Sequence, residues 1–167
     1  MLSTKQKSKN LGIVLIQEHN LQRNKEQQYK ELGKNMGFTI EISFGRADGE
    51  DSTRGGVMTI LDDKSVSVKS VIEKIPGFLA LEVEWGAQTL KVANVYAPSQ
   101  PIGRVDFFQK IRNKIELDMI VGGDWNTVPD KTIDVDSADP LAYRNVGAQL
   151  LEQIMSENIS WTSVGNN

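Results

Sequence analysis

Cysteine is absent from this 167-residue chain, which excludes disulfides and thiolate metal sites alike. Histidine occurs once, at His19, so a multi-histidine zinc site is excluded as well. Any metal would therefore be a hard cation on carboxylate and water oxygens: Mg²⁺, Mn²⁺ or Ca²⁺. No apolar stretch approaches the ~18 residues of a membrane span, and no membrane partner is expected. Neither a G-x-G-x-x-G nor a Walker sequence occurs, so a nucleotide cofactor is not expected. Positive charge is not in excess, since the net charge is −3. That balance does not advertise nucleic-acid binding, although a local basic rim on an acidic body is compatible with it. The first ten residues, MLSTKQKSKN, are basic but lack the apolar core of a signal peptide.

What is present suits one ordinary globular domain, with 39% hydrophobic and 25% charged residues. LGIVLIQE (11–18) is a continuous apolar run ending in polar groups, as expected of a strand buried on both faces. Between Asn20 and Gly37 the composition predicts a helix with apolar contacts at Tyr29, Leu32 and Met36. FTIEISF (38–44) alternates like a strand, and 45–56 reads as a polar loop carrying Arg46 and Arg54. Strands are predicted at Val57–Leu61, Ser65–Ile72 and Leu79–Trp85. A tight Gly86-Ala87 turn then leads into a further strand over 88–98. A helix over 101–115 presents Val105, Phe108, Ile111 and Ile115 at helical spacing. Asp118–Val121 is a short strand, and a last helix from about Tyr143 to Glu157 buries Val146, Leu150, Ile154 and Met155. The order predicts a layered α/β domain and not a doubly wound nucleotide-binding fold.

Three of these strands end in polar residues. The first ends at Gln17-Glu18, the second carries Asn94 and Tyr96, and the third ends in GGDWN, with Asp124 and Asn126 one residue apart. In extended chain those two would face one common volume. Ligands in α/β domains collect at strand ends. A carboxylate, a phenol, an amide and a second carboxylate form a set suited to phosphoryl chemistry. Glu18 can hold a Mg²⁺ that neutralises a phosphate oxygen, and Asp124 can take a proton from an attacking water that Asn126 orients. Tyr96 can donate to a phosphate oxygen. Each has a plainer alternative: a solvated strand end for Glu18, a core aromatic for Tyr96, a loop-backbone partner for Asn94, and a turn for Asp124 and Asn126. His19 beside Glu18 reads as structural or solvent-facing before it reads as a general base. Arg54 can contact substrate or pair on the surface with Asp48 or Asp51.

IQE at a strand end, RGGV opening a strand, NVYAP and GGDWN occur in that order. Together they resemble the endonuclease/exonuclease/phosphatase superfamily, most of all the endonuclease domains of non-LTR retrotransposons, from about Leu11 to Trp161. The resemblance implies a two-sheet α/β sandwich of the DNase I kind, with the active site at one edge. It implies Mg²⁺ or Mn²⁺ as cofactor, DNA as partner, and an intracellular location with the nucleus as one option. By position, Glu18 matches the metal-binding glutamate and Tyr96 the active-site tyrosine. Asp124 and Asn126 match the residues around the attacking water, and Asn94 matches the asparagine of the N-x-Y element, a substrate-binding candidate. Two departures stand out: the family's first strand has no counterpart in residues 1–10, and its closing aspartate and S-D-H element have none in SWTSVGNN. The expectation is an incomplete sandwich, with residues 1–10 a disordered or helical remnant and 11–167 a partial domain, weak or inactive by itself. A catalytically dead relic or binding module of the same fold is the alternative, and a phosphoinositide phosphatase or sphingomyelinase-like hydrolase is another.

Overall fold

The computed structural model describes residues 12–45, 55–127 and 147–158. Seven strands form two sheets within them: β1 (Ile13–Gln17), β2 (Phe38–Ser43), β3 (Val57–Asp62), β4 (Val66–Ile75), β5 (Phe78–Trp85), β6 (Gln88–Tyr96) and β7 (Met119–Asp124). The first sheet has the antiparallel order β1-β3-β2 and the second the order β4-β5-β6-β7, in which only β6 and β7 run parallel. Helix α1 (Glu26–Asn35) connects β1 to β2, α2 (Pro101–Ile111) connects β6 to β7, and α3 (Ala148–Asn158) follows. Arg46, Arg54 and Val146 lie outside the described residues. Among the described residues, no helix is long and apolar enough to cross a membrane.

The alternation read from β5 and β6 decides how the layers stack. Leu79, Leu81 and Val83 of β5, with Val92 of β6, face the first sheet and meet Val57, Leu61, Ile13 and Leu15. Phe78, Ala80, Ala93 and Val95 point the other way, against Phe107, Phe108 and Ile111 of α2 and Leu151, Ile154 and Met155 of α3. The middle of the second sheet, in β5 and β6, is thus buried on both faces, between the first sheet on one side and two helices on the other, while β4 stays largely exposed. Each large side chain removed from water here contributes on the order of 1.5–3 kcal/mol. The small residues Ala80 and Ala93 let the helices sit close.

Three expectations change. β1, read as buried on both faces, is half-buried throughout and lies at one edge of its sheet among the described residues. Its apolar run reflects one packed face and one shielded edge. β4 runs on to Ile75 with two register shifts, so the chain bends where continuous alternation would fail. The third change concerns α1. Leu32 and Met36 are 58% and 64% exposed, because the helix turns Gly33 toward the sheet. A Cβ on Gly33 would come within 2.6 Å of Ile40 Cδ1. That close seat is flanked by ion pairs from Lys30 to Glu41 (3.0 Å) and from Lys74 to Glu26 (3.1 Å), so a polar face docks where an apolar one was expected.

Candidate active site

β1, β6 and β7 deliver their C-terminal ends to one edge of the sandwich. The parallel pairing of β6 and β7 sets Tyr96 directly opposite Asp124. Two glycines before Asp124 make this approach possible. A Cβ on Gly122 would meet Leu15 Cδ1 of β1 at 2.8 Å, and one on Gly123 would meet the Val95 carbonyl at 1.9 Å. Gly122 therefore lets the first sheet come down on β7, and Gly123 lets β7 press against β6.

Glu18 sits one residue beyond β1, exposed, with φ 51°. This left-handed turn swings its carboxylate across the sheet interface to accept a hydrogen bond from the Tyr96 hydroxyl. Tyr96 is half-buried, and burial, the Glu18 hydrogen bond and charge, and the Asp124 charge push its phenol up to about 12, while a hydrogen bond from Asn126 pulls the other way. The phenol is therefore a proton donor throughout the neutral range. Gly55 closes the wall beside it, since a Cβ there would lie 3.3 Å from Tyr96 Cε1. Asn20 holds that wall by accepting from the Gly55 amide at 2.9 Å.

Asp124 and Asn126 also reach this point, though not as extended-chain neighbours. Asn126 has φ 48°, and its backbone N–H donates to Asp124 Oδ1 at 2.9 Å, so the pair closes a turn. The Asn126 side-chain amide donates to the Ala97 carbonyl at 2.7 Å. The turn chemistry that served as the plain alternative is thus present, and it aims both side chains at Tyr96. Arg104, buried in α2, donates to the carbonyls of Pro98 (3.1 Å) and Ser99 (2.7 Å) and so braces the chain leaving Tyr96. Nothing in the sequence pattern marks this arginine, because its two carbonyl partners are backbone groups of the turn just before α2.

Glu18, Tyr96, Asp124 and Asn126 are therefore brought together, while Asn94 is not. Asn94 is fully buried: its side-chain N–H groups donate to the carbonyls of Ile16 (3.2 Å) and Met58 (3.1 Å), and its Oδ1 accepts from Gln17 Nε2 (2.8 Å). The substrate contact expected of it gives way to a tie between the sheets, since every polar atom is used internally. His19 is committed elsewhere as well. Its Nε2 contacts the Ser43 carbonyl at 3.2 Å and its Nδ1 accepts from the Leu21 amide at 3.0 Å, which fixes the neutral tautomer with the proton on Nε2. Burial holds its pKa below the ordinary value of 6.5, against the Ser43 hydrogen bond.

Among the described residues, no group of three or more His, Cys, Asp or Glu side chains is assembled for a metal. Glu18 and Asp124 flank the phenol as two exposed carboxylates. Two carboxylates with water and substrate oxygens completing the shell is the donor set Mg²⁺ prefers, so the residues fit a hard cation.

No family model and no curated protein matches the sequence. Among solved structures, the chain is similar to the endonuclease domain of TRAS1, a telomere-specific non-LTR retrotransposon, at TM-score 0.53 and 16% identity, covering 87% of this chain and 57% of that one. It is also similar to a humanized D. rerio TDP2, at TM-score 0.49 and 20% identity over 70% of this chain and 49% of that one. The chain thus spans about half the length of these structures. The fold is the one this endonuclease domain has, a two-sheet α/β sandwich, as the four motifs implied.

Proposed function

We propose that this domain hydrolyses phosphodiester bonds with a divalent cation, and that it nicks DNA. The observation that carries the proposal is the meeting of Glu18, Tyr96, Asp124 and Asn126 at one sheet edge. The likeness to an endonuclease domain supports DNA over a lipid. Glu18 and Asp124 would hold Mg²⁺ or Mn²⁺, which supplies neutralisation of charge on a phosphate oxygen. Tyr96, protonated at neutral pH, would turn its one O–H from Glu18, once that carboxylate holds the cation, to a non-bridging oxygen as negative charge grows there. The exposed Asp124 carboxylate accepts a proton from an attacking water, and Asn126, pinned at its backbone and amide, holds the adjoining turn still. His19 is engaged in holding loops together and so does not serve the leaving group.

The test is relaxation of supercoiled plasmid by the 167-residue chain with Mg²⁺ or Mn²⁺. Metal-dependent nicking that disappears in Asp124→Ala is the expected result. DNA retention with no cleavage under either metal, and none in any longer form of the protein, would identify a binding module that keeps the fold without the chemistry.

A further inference from the structure

Glu18 and Tyr96 belong to different sheets, and no β-ladder sets their spacing. Within a sheet, backbone hydrogen bonds fix register. Across a sandwich interface the apolar contacts of Leu79, Leu81, Val57 and Leu61 are non-directional and tolerate sliding. A slide of one residue moves a strand ~3.3 Å, enough to part Glu18 from the phenol it contacts. Something directional must therefore lock β1 against β6.

One buried amide does so. Asn94 lies two residues before Tyr96 on the same face of β6, and Gln17 lies immediately before Glu18. Asn94 donates to the carbonyls of Ile16 and Met58, which are register partners in β1 and β3, and accepts from Gln17. A single side chain at 0% exposure thus ties three strands of two sheets with three directional bonds. An unsatisfied amide in this apolar layer is costly, so any displaced register is penalised. We propose that Gln17 and Asn94 are positioning residues that lock the register of β1 against β6 and thereby hold Glu18 on Tyr96. This rests on the catalytic assignment of Glu18 and Tyr96 only for its kinetic consequence.

The test uses the full chain labelled with ¹³Cζ-tyrosine. Tyr96 is assigned among the three tyrosines by Tyr96→Phe, and its Cζ resonance is followed at fixed neutral pH in Gln17→Met, Asn94→Leu and, as the reference for a lost contact, Glu18→Ala. In both Gln17→Met and Asn94→Leu the Tyr96 ¹³Cζ resonance at pH 7 moves from the parent position toward that of Glu18→Ala, as the hydrogen bond to Glu18 is lost, while circular dichroism of Gln17→Met stays that of the parent. Gln17 is only half-buried, so Gln17→Met decides the matter even where Asn94→Leu fails to fold. Nicking by Gln17→Met should fall in kcat by on the order of 10²-fold with KM little changed, the mark of misplacement and not of lost binding. A parent that never nicks DNA would sink the catalytic assignment alone, since the Tyr96 resonance still reports on the tie. A Tyr96 resonance that keeps the parent position in folded Gln17→Met, or that Glu18→Ala does not move at all, overturns the proposal.

Discussion

At the scale of single residues, protonation sorts the side chains at this edge. Tyr96 is held neutral to about 12, so its donor function is intact below that value and is lost as pH rises through it. Its folded-state value exceeds the ordinary 10.0, so its contribution to stability is full below pH 10.0 and fades as pH climbs toward 12. Tyr96→Phe should cost ~10²–10³ in nicking rate, the usual penalty for losing one preorganised donor. A cost below tenfold would return Tyr96 to the role of a core aromatic. His19 runs in the opposite sense. Its folded-state value lies below 6.5, so the stability it contributes is present above pH 6.5 and drains as pH falls through its depressed value. Thermal melts between pH 5 and 8 should show stability declining on the acid side, and His19→Gln should flatten that decline. Glu73, held below 4.5 chiefly by its hydrogen bond from Lys114, loses its contribution only at lower pH, so the two windows separate.

At the scale of elements, the two ends of β7 and α1 give contrasting glycines. Gly123 adopts φ 150° with the Val95 carbonyl where a Cβ would go. Gly123→Ala should therefore split β7 from β6 and cost about 4 kcal/mol or more, with the site lost at the same time. Gly37 has φ 82° but open space around it, so Gly37→Ala should cost only the ~1–2 kcal/mol of a left-handed backbone. Equal losses in urea unfolding would remove the steric account. These glycines also mark what the chain reveals before it folds. The strands were legible because β5 and β6 alternate, and GGDWN announced an exposed strand end. That Tyr96 sits opposite Asp124 was not legible, because it depends on a parallel pairing made across a helical crossover. The tie that Asn94 makes was not legible either, since burial and three partners from distant segments are invisible in N-x-Y. The exposure of Leu32 and Met36 was missed for a related reason: a glycine carries no hydropathy signal, yet Gly33 is what seats α1.

For the molecule as a whole, the sign of its charge opposes its proposed substrate. The chain carries a net charge of −3, and the candidate site presents Glu18 and Asp124 as exposed carboxylates. A phosphodiester approaching that edge meets repulsion until a cation sits there, so the cation is needed for binding as well as for chemistry. Fluorescence anisotropy with a short labelled duplex should show weak association in EDTA and tighter association once Mg²⁺ is added. Ca²⁺ should also restore binding while supporting cleavage poorly. Glu18→Gln then separates the two demands. Removing one negative charge should strengthen metal-free DNA binding by about two- to fivefold at low salt, an effect that fades toward 0.2 M salt as the Debye length shortens. The same substitution should weaken Mg²⁺ binding in calorimetry and depress nicking. A merely solvated Glu18 would leave Mg²⁺ affinity where it was, and metal-free DNA affinity that failed to rise would show that this carboxylate does not face the path of the phosphate.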